Sequence, residues 1–330
     1  MPAIRHDVVG IGNAIVDVIA HADDAIIEDL GLNRGTMTLV DAETVARLYD
    51  RMGPAVEVSG GSAANTIAAL ASLGGRGAFI GKVSDDQLGT IFRHDITSLG
   101  ISFLAEPANG GTPTGRCLIF VTPDAHRTMQ TFLGVSAELA PSDIDEEAVA
   151  GARVTYLEGY LWDRPAAKDA FRKAAQIAHD ADRLVALSLS DPFCVDRHRA
   201  DFRALVEHHV DVLFANEDEI VSLYEEHSFD AALQQVRHHC WIAALTRSEK
   251  GSVIVSNNEV HVIDVEPVDS VVDTTGAGDA YAAGFLFALT RDMDLALCAR
   301  VGGICAAEAI SHMGARPETS LASLVAERLA

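Results

Sequence analysis

The chain has 330 residues, 48% of them apolar and 22% charged, so it can bury one large α/β core or two smaller ones and is not disordered. Its 25 basic and 48 acidic residues give a net charge of −23, which excludes nucleic acid and anionic membrane surfaces as partners. Five widely spaced cysteines without a CxxC pair exclude a disulfide framework, and the N-terminus runs straight into an apolar strand, so a cytoplasmic chain is expected.

Strand patterns are predicted at 7–11, 77–81, 154–158, 184–189, 212–215, 241–246 and 251–256. Helical patterns are predicted at 63–73, 88–99, 164–179, 199–208, 217–226, 229–238, 278–290 and 295–311. The alternation predicts one α/β domain over 1–330, a mainly parallel central sheet flanked by helices. Residues 35–40 and about 101–132 are strand-like without long helices. They predict a small antiparallel sheet projecting as a lid, drawn from about 13–40 and 101–133, that closes over a site. An open edge on such a lid invites pairing with a second copy, hence a homodimer.

In chain order, Gly10-Ile11-Gly12-Asn13-Ala14-Ile15-Val16-Asp17 follows the first strand. A dinucleotide fingerprint would need glycine where Ile15 stands, so a dehydrogenase is excluded. Gly60-Gly61-Ser62-Ala63-Ala64-Asn65 opens a helix; bare backbone at the glycines admits a sugar, and the Asn65 amide can both donate and accept. Lys82 does not make a phosphate loop, because Arg76 occupies the first glycine position and Val83 follows the lysine. Asn216-Glu217-Asp218-Glu219 follows an apolar strand, with Asn216 and Glu219 one turn apart on one side. The histidines show no metal-site spacing.

The richest stretch is Asp273-Thr274-Thr275-Gly276-Ala277-Gly278-Asp279-Ala280-Tyr281-Ala282-Ala283-Gly284. Thr275 can cap the helix, the glycines let the backbone curl, and the N–H groups from Gly276 through Ala277 and Gly278 to Asp279 would converge on an anion. A carboxylate beside such a hole can take the proton of a hydroxyl while the hole holds a phosphoryl group; the helix dipole favours its ionised form. Ala282, Ala283 and Gly284 would let the helix lie close to the sheet.

This stretch, with GGSAAN and NEDE, resembles the signatures of the ribokinase-like (PfkB) sugar and nucleoside kinases over nearly the whole chain. The resemblance implies the ribokinase-like fold and an alcohol phosphotransferase using ATP with Mg²⁺. It implies Asp279 as general base with Gly276, Ala277 and Gly278 as the anion hole, and Asp17, with Asn13 beside it, holding sugar hydroxyls together with Gly60, Gly61 and Asn65. Asn216 and Glu219 would serve the Mg²⁺ through water. Thr246 and Gly251 would stand on the ATP side, where Arg247 either meets a phosphate or is solvated. Asp273, Thr275, Ala309, His312 and Gly314 match a monovalent-cation site of ribokinases, suited to K⁺. A run around His126-Arg127-Thr128-Met129 is similar to adenosine kinases and implies Arg127 at the phosphoryl group. Tyr156-Leu157-Glu158-Gly159-Tyr160-Leu161 is similar to the same branch and implies Tyr160 or Leu161 against a base, whereas Glu158 is more like ribokinases, where a carboxylate binds sugar. The acceptor thus stays open between a purine nucleoside, adenosine first, and a free sugar such as ribose or fructose. A non-catalytic ligand sensor on a kinase fold is a third reading, opposed by the presence of Asp279, its glycines and the NEDE pair together.

Overall fold

The computed structural model describes residues 2–124, 126–257 and 259–330. Its strands in chain order are β1 (His6–Ile11), β2 (Ile15–His21), β3 (Met37–Leu39), β4 (Ala55–Gly60), β5 (Gly77–Ile80), β6 (Ser102–Phe103) and β7 (Gly115–Val121). They continue with β8 (Arg127–Phe132), β9 (Ala152–Glu158), β10 (Leu184–Ser188), β11 (Val212–Asn216), β12 (Ile242–Thr246), β13 (Ser252–Ser256) and β14 (Glu259–Ile263).

Nine strands form one sheet in the order β14-β13-β12-β11-β10-β9-β1-β5-β6. From β12 to β6 neighbouring strands are parallel, and β13 and β14 are added antiparallel at one edge. Burial on both faces explains why these strands read as continuous apolar runs. On β1, Val8 enters one core and Val9 and Ile11 enter the other. The first core holds the helices Ser62–Ser72, Ala277–Leu289 and Leu295–Ala309; the second holds Pro165–Asp180, Pro192–His209, Glu217–Tyr224 and Phe229–Val236.

Helix Ala277–Leu289 is apolar all round because it is wedged between two other helices as well as the sheet. Its small residues serve the helix contact rather than the sheet contact anticipated from sequence. A Cβ on Gly284 would stand 2.7 Å from the Val301 carbonyl oxygen, and one on Gly302 would stand 2.8 Å from that of Tyr281.

The second sheet has five strands in the order β3-β8-β7-β2-β4. It is mixed, not antiparallel as predicted: β2–β7 and β3–β8 run parallel. Its segments also differ from expectation. β4 lies outside 13–40 and 101–133, and β6 joins the edge of the large sheet instead. β2 went unread as a strand although its burial alternates. Val16, Val18 and Ala20 face the core, while Ile15, Asp17 and Ile19 face the other way. Helix Pro192–His209 begins seven residues before the predicted start, with Asp191 capping it and Pro192 at its first position. The five cysteines are free. Among the described residues no helix is long and apolar enough to cross a membrane.

Candidate active site

The loops leaving the carboxyl ends of β1, β9, β10, β11 and β12 open into a cavity of about 930 Å³, where an open parallel sheet ordinarily receives ligands. Ile15, Asp17, Cys117, Ile119, Met129 and Thr131 of the second sheet form its opposite wall.

At the centre stands Asp279, in the first turn of helix Ala277–Leu289. Gly276 precedes that helix at φ +78°, packed so tightly that a Cβ would meet the Ala315 Cβ at 2.5 Å, so glycine is required there twice over. The Asp279 carboxylate accepts from Ser62 Oγ at 2.6 Å and from Asn65 Nδ2 at 3.3 Å. Burial pushes it up to about 7, although both hydrogen bonds and the Arg316 guanidinium favour the ionised form. A carboxyl poised near neutrality suits a general base. The expected anion hole is narrower than anticipated. Ala277 N–H donates to the Thr274 carbonyl at 3.3 Å and Ala277 does not line the cavity, whereas Gly276 and Gly278 do.

Asp17 faces the cavity from β2 with its carboxylate free of protein hydrogen-bond donors among the described residues. Burial pushes it up to about 6, against the pull of Arg127 and Arg316. Gly60 lies behind it rather than in the cavity: a Cβ there would stand 2.6 Å from the Asp17 carboxylate. Gly61, at φ +100°, lines the cavity and caps helix Ser62–Ser72.

Asn13 and Glu158 border the cavity but bond to one another. Asn13 Nδ2 donates to Glu158 Oε1 at 2.6 Å, and Asn13 N–H and Ala63 N–H donate to Oε2 at 3.3 and 2.8 Å. Asn13 Oδ1 in turn accepts from Ser136 Oγ. Burial raises Glu158 and these donors oppose the rise. Both residues thus form a latch joining the ends of β1 and β9 to the start of helix Ser62–Ser72 while still lining the cavity. Tyr160 lines the cavity, with its hydroxyl donating to the Ser190 carbonyl. Leu161 and Trp162 are buried in the second core, Trp162 packing on Phe171 and Phe202, and neither lines this cavity.

At the other end, Asn216 caps helix Glu217–Tyr224 and Glu219 returns the bond in a capping box: Asn216 Nδ2 and N–H donate to Glu219 at 2.7 and 2.9 Å. Burial pushes Glu219 up to about 7, with Asp191 and Asp218 adding repulsion against the Asn216 donor. Asn216, Glu219, Asp191 and Thr246 line the cavity. Arg247 does not. It donates to Glu217 and lies 4.1 Å from the Phe229 ring centroid. Gly251 shapes the β12–β13 turn at φ +77°.

Residues 42–321 match the family described as pfkB family carbohydrate kinase. The chain belongs to this family. Among solved structures the kinase is similar to adenosine kinase from Sinorhizobium meliloti, at 50% identity and TM-score 0.91, covering 99% of this chain and 100% of that one. It is similar to a probable sugar kinase from Rhizobium etli CFN 42, at 46% identity and TM-score 0.92, covering 98% and 99%. Among curated proteins it is 27% identical to adenosine kinase of Saccharomyces cerevisiae, over 92% of this chain and 94% of that one. The chain is therefore a ribokinase-like phosphotransferase, a nucleoside or sugar kinase.

In this kinase Arg127 stands beside the cavity rather than in it. Its Nη1 donates to Asp273 at 2.5 Å and to Thr275 Oγ1 at 3.1 Å, tying β8 to the loop before Gly276. Asp273 also accepts from Thr275 and from Gly314 N–H; these donors and Arg127 hold its carboxyl below the usual range despite burial. Of the residues matched to a K⁺ site, Thr275 lines the cavity, His312 bonds Glu308, and Ala309 is buried in its helix. The one carboxylate of that set, Asp273, already has a guanidinium against it. Two residues escaped the sequence reading. Ser62 was visible inside GGSAAN, but its partner lies 217 positions away. Arg316 carried no local signal.

Proposed function

We propose that the kinase transfers the γ-phosphoryl group of ATP to the primary 5′-hydroxyl of a purine nucleoside, adenosine first. The observation that carries this reading is the Asp279 carboxylate facing the cavity beside Gly276 and Gly278, with a diol-sized acceptor group, Asp17, on the opposite wall. The acceptor hydroxyl gives its proton to Asp279 as its oxygen attacks the γ-phosphorus, and ADP leaves; the Gly276 and Gly278 N–H groups receive the phosphoryl charge. Asp17 accepts from the ribose hydroxyls, and Asn65 orients both Asp279 and the sugar. Arg127, held on Asp273, contributes positive charge from behind the wall.

Apolar side chains support a nucleoside over a free sugar. Ile15, Leu39, Met129 and Leu133 leave a surface that a flat base would cover, and Tyr160 and the exposed Phe193 ring stand nearby. Glu158, which would favour a free sugar, is bonded to Asn13 and Ala63. The likeness to the Sinorhizobium meliloti enzyme supports adenosine.

The donor set suits Mg²⁺ arriving with ATP. Glu219 is one buried carboxylate amid acidic neighbours, and among the described residues no group of three or more His, Cys, Asp or Glu side chains is placed to cage an ion. Glu219 and Asn216 would hold the ion's water shell, and the ion would supply charge neutralisation on the phosphates.

ADP release from Mg·ATP, measured against adenosine, guanosine, inosine, cytidine, ribose and fructose, tests the reading. Turnover with adenosine is expected. Turnover confined to ribose or fructose would overturn the nucleoside assignment, and none with any acceptor would overturn the kinase proposal for this panel.

A further inference from the structure

Three consecutive residues beyond the last long helix touch both arms of the site. Gly314 N–H donates to Asp273 Oδ2 at 2.9 Å. Ala315 fills the space that leaves Gly276 no room for a Cβ. Arg316 reaches the other way. Its Nε and Nη2 donate to the Ser59 carbonyl at 3.3 and 3.0 Å, Nη2 also donates to Ser59 Oγ at 3.1 Å, and Nη1 donates to the Ala64 carbonyl at 3.2 Å. Ser59 N–H is held in turn by Asp95 Oδ2 at 3.0 Å.

Ser59 and Ala64 bracket the turn that contains Gly60, Gly61 and Ser62. That turn delivers Ser62 Oγ and, three residues on, the Asn65 amide to Asp279. One planar guanidinium therefore grips both ends of the element that aims the carboxylate. The same loop grips the helix start that carries it. A lysine has the charge but not the fork, and reaches one carbonyl where arginine reaches two. The guanidinium is partly buried, within the field of Asp17, Asp95 and Asp279. Holding a cation partly out of water is costly unless its geometry serves something else, and here two of the acidic partners, Asp17 and Asp279, line the cavity.

We propose that Arg316 is a positioning residue for phosphoryl transfer: with Gly314 and Ala315 it sets the spacing between the Gly60–Asn65 turn and the Gly276–Asp279 helix start, and so the aim of Asp279. The proposal rests on the kinase reading above. It gives a role to Arg316, which no motif in the sequence marks.

The test compares Arg316→Met and Arg316→Lys with the wild type, using Mg·ATP and whichever acceptor turns over. Positioning predicts that Arg316→Met lowers kcat by on the order of 10–10², as small misplacements of reacting groups do, with KM for Mg·ATP unchanged. Arg316→Lys recovers part of the loss. Both are assayed well below their melting temperatures. If kcat is preserved while the melting temperature falls, Arg316 only stabilises the fold and the proposal is wrong. Amide hydrogen exchange in the ligand-free protein gives a readout independent of any acceptor. Faster exchange confined to 59–66 and 276–280 in Arg316→Met supports the clamp; exchange there equal to the wild type, or raised throughout the chain, overturns it. Should the wild type turn over no acceptor, the kinase reading fails while the exchange result still decides the clamp. If Arg316→Met does not fold, Arg316→Lys carries both measurements.

Discussion

Two carboxylates that line one cavity, Asp279 and Glu219, are both pushed by burial up to about 7, yet their surroundings differ. Asp279 accepts from two side chains that belong to a different helix, and Arg316 lies behind it. Among the described residues Glu219 accepts only from its own cap, Asn216, and it faces Asp191 and Asp218. The first carboxyl is positioned by tertiary contacts and backed by a cation, an arrangement for taking up a proton. The second is surrounded by like charge and short of a counter-ion, an arrangement for attracting a cation. An equal shift therefore does not imply an equal task, and the neighbours decide which task it is.

The comparison breaks most severely at Asp279. Asp279→Asn is expected to lower kcat by on the order of 10²–10⁴ with ATP and acceptor still bound, as single-turnover kinetics and isothermal titration would show. Turnover near the wild-type value would remove Asp279 as base. Glu219→Gln is expected to lower kcat less, by on the order of 10–10², and to raise the Mg²⁺ concentration for half-maximal rate, since it disturbs an ion's outer shell. An unchanged Mg²⁺ titration would separate Glu219 from the metal.

The pH dependence sharpens the difference. The base must be ionised, so kcat/KM of the wild type should fall as pH drops through about 7. Ser62→Ala removes a bond that favours the ionised carboxylate, so its acid limb should move upward by about one unit or less, while the Mg²⁺ dependence stays in place. A downward or absent shift would mean that Ser62 does not support the charge. Stability should respond too. The folded value of about 7 lies above the ordinary carboxylate range of the unfolded chain, so the contribution of Asp279 is fully present below the unfolded value and is lost as pH rises through about 7. Asp279→Asn should accordingly gain melting temperature relative to the wild type at pH 8 and show less gain at pH 5. The smallest effect is expected from the cation: exchanging K⁺ for Na⁺ should leave kcat unchanged, because Arg127 already neutralises Asp273. A strong requirement for K⁺ would show that the carbonyls around 309–314 bind an ion despite that pair.

The legible parts of the site are those in which chemistry and backbone conformation share one short stretch. Gly276, Gly278 and Asp279 lie together because a tight turn, a helix start and a base are neighbours in the chain. Asn216 and Glu219 were readable for the same reason, their bond spanning one helical turn. The local context of Glu158 could not reveal its partner Asn13, 145 positions earlier, whose amide donates to it. Arg127 was placed at the phosphoryl group by resemblance and Arg247 was left between a phosphate and solvent; neither reading could show that Asp273 and Glu217 hold them. The second sheet was only half seen, since the pairing of β2 with β4 and β7 joins segments far apart in the chain.

By itself the sequence determined the alternating order of strands and helices, the two-faced burial of the large sheet, the family and the reacting carboxylate. Each of these follows from local periodicity or from a contiguous motif. Only the tertiary structure decided that Ser62 and Asn65 hold Asp279, that Asn13 and Glu158 close on one another, that Ala277 leaves the anion hole, and that Arg316 reaches the turn at Gly60. Those outcomes depend on which distant group meets each buried polar atom. Burial makes an unpaired polar atom costly, but it does not write the identity of the partner into the neighbouring residues.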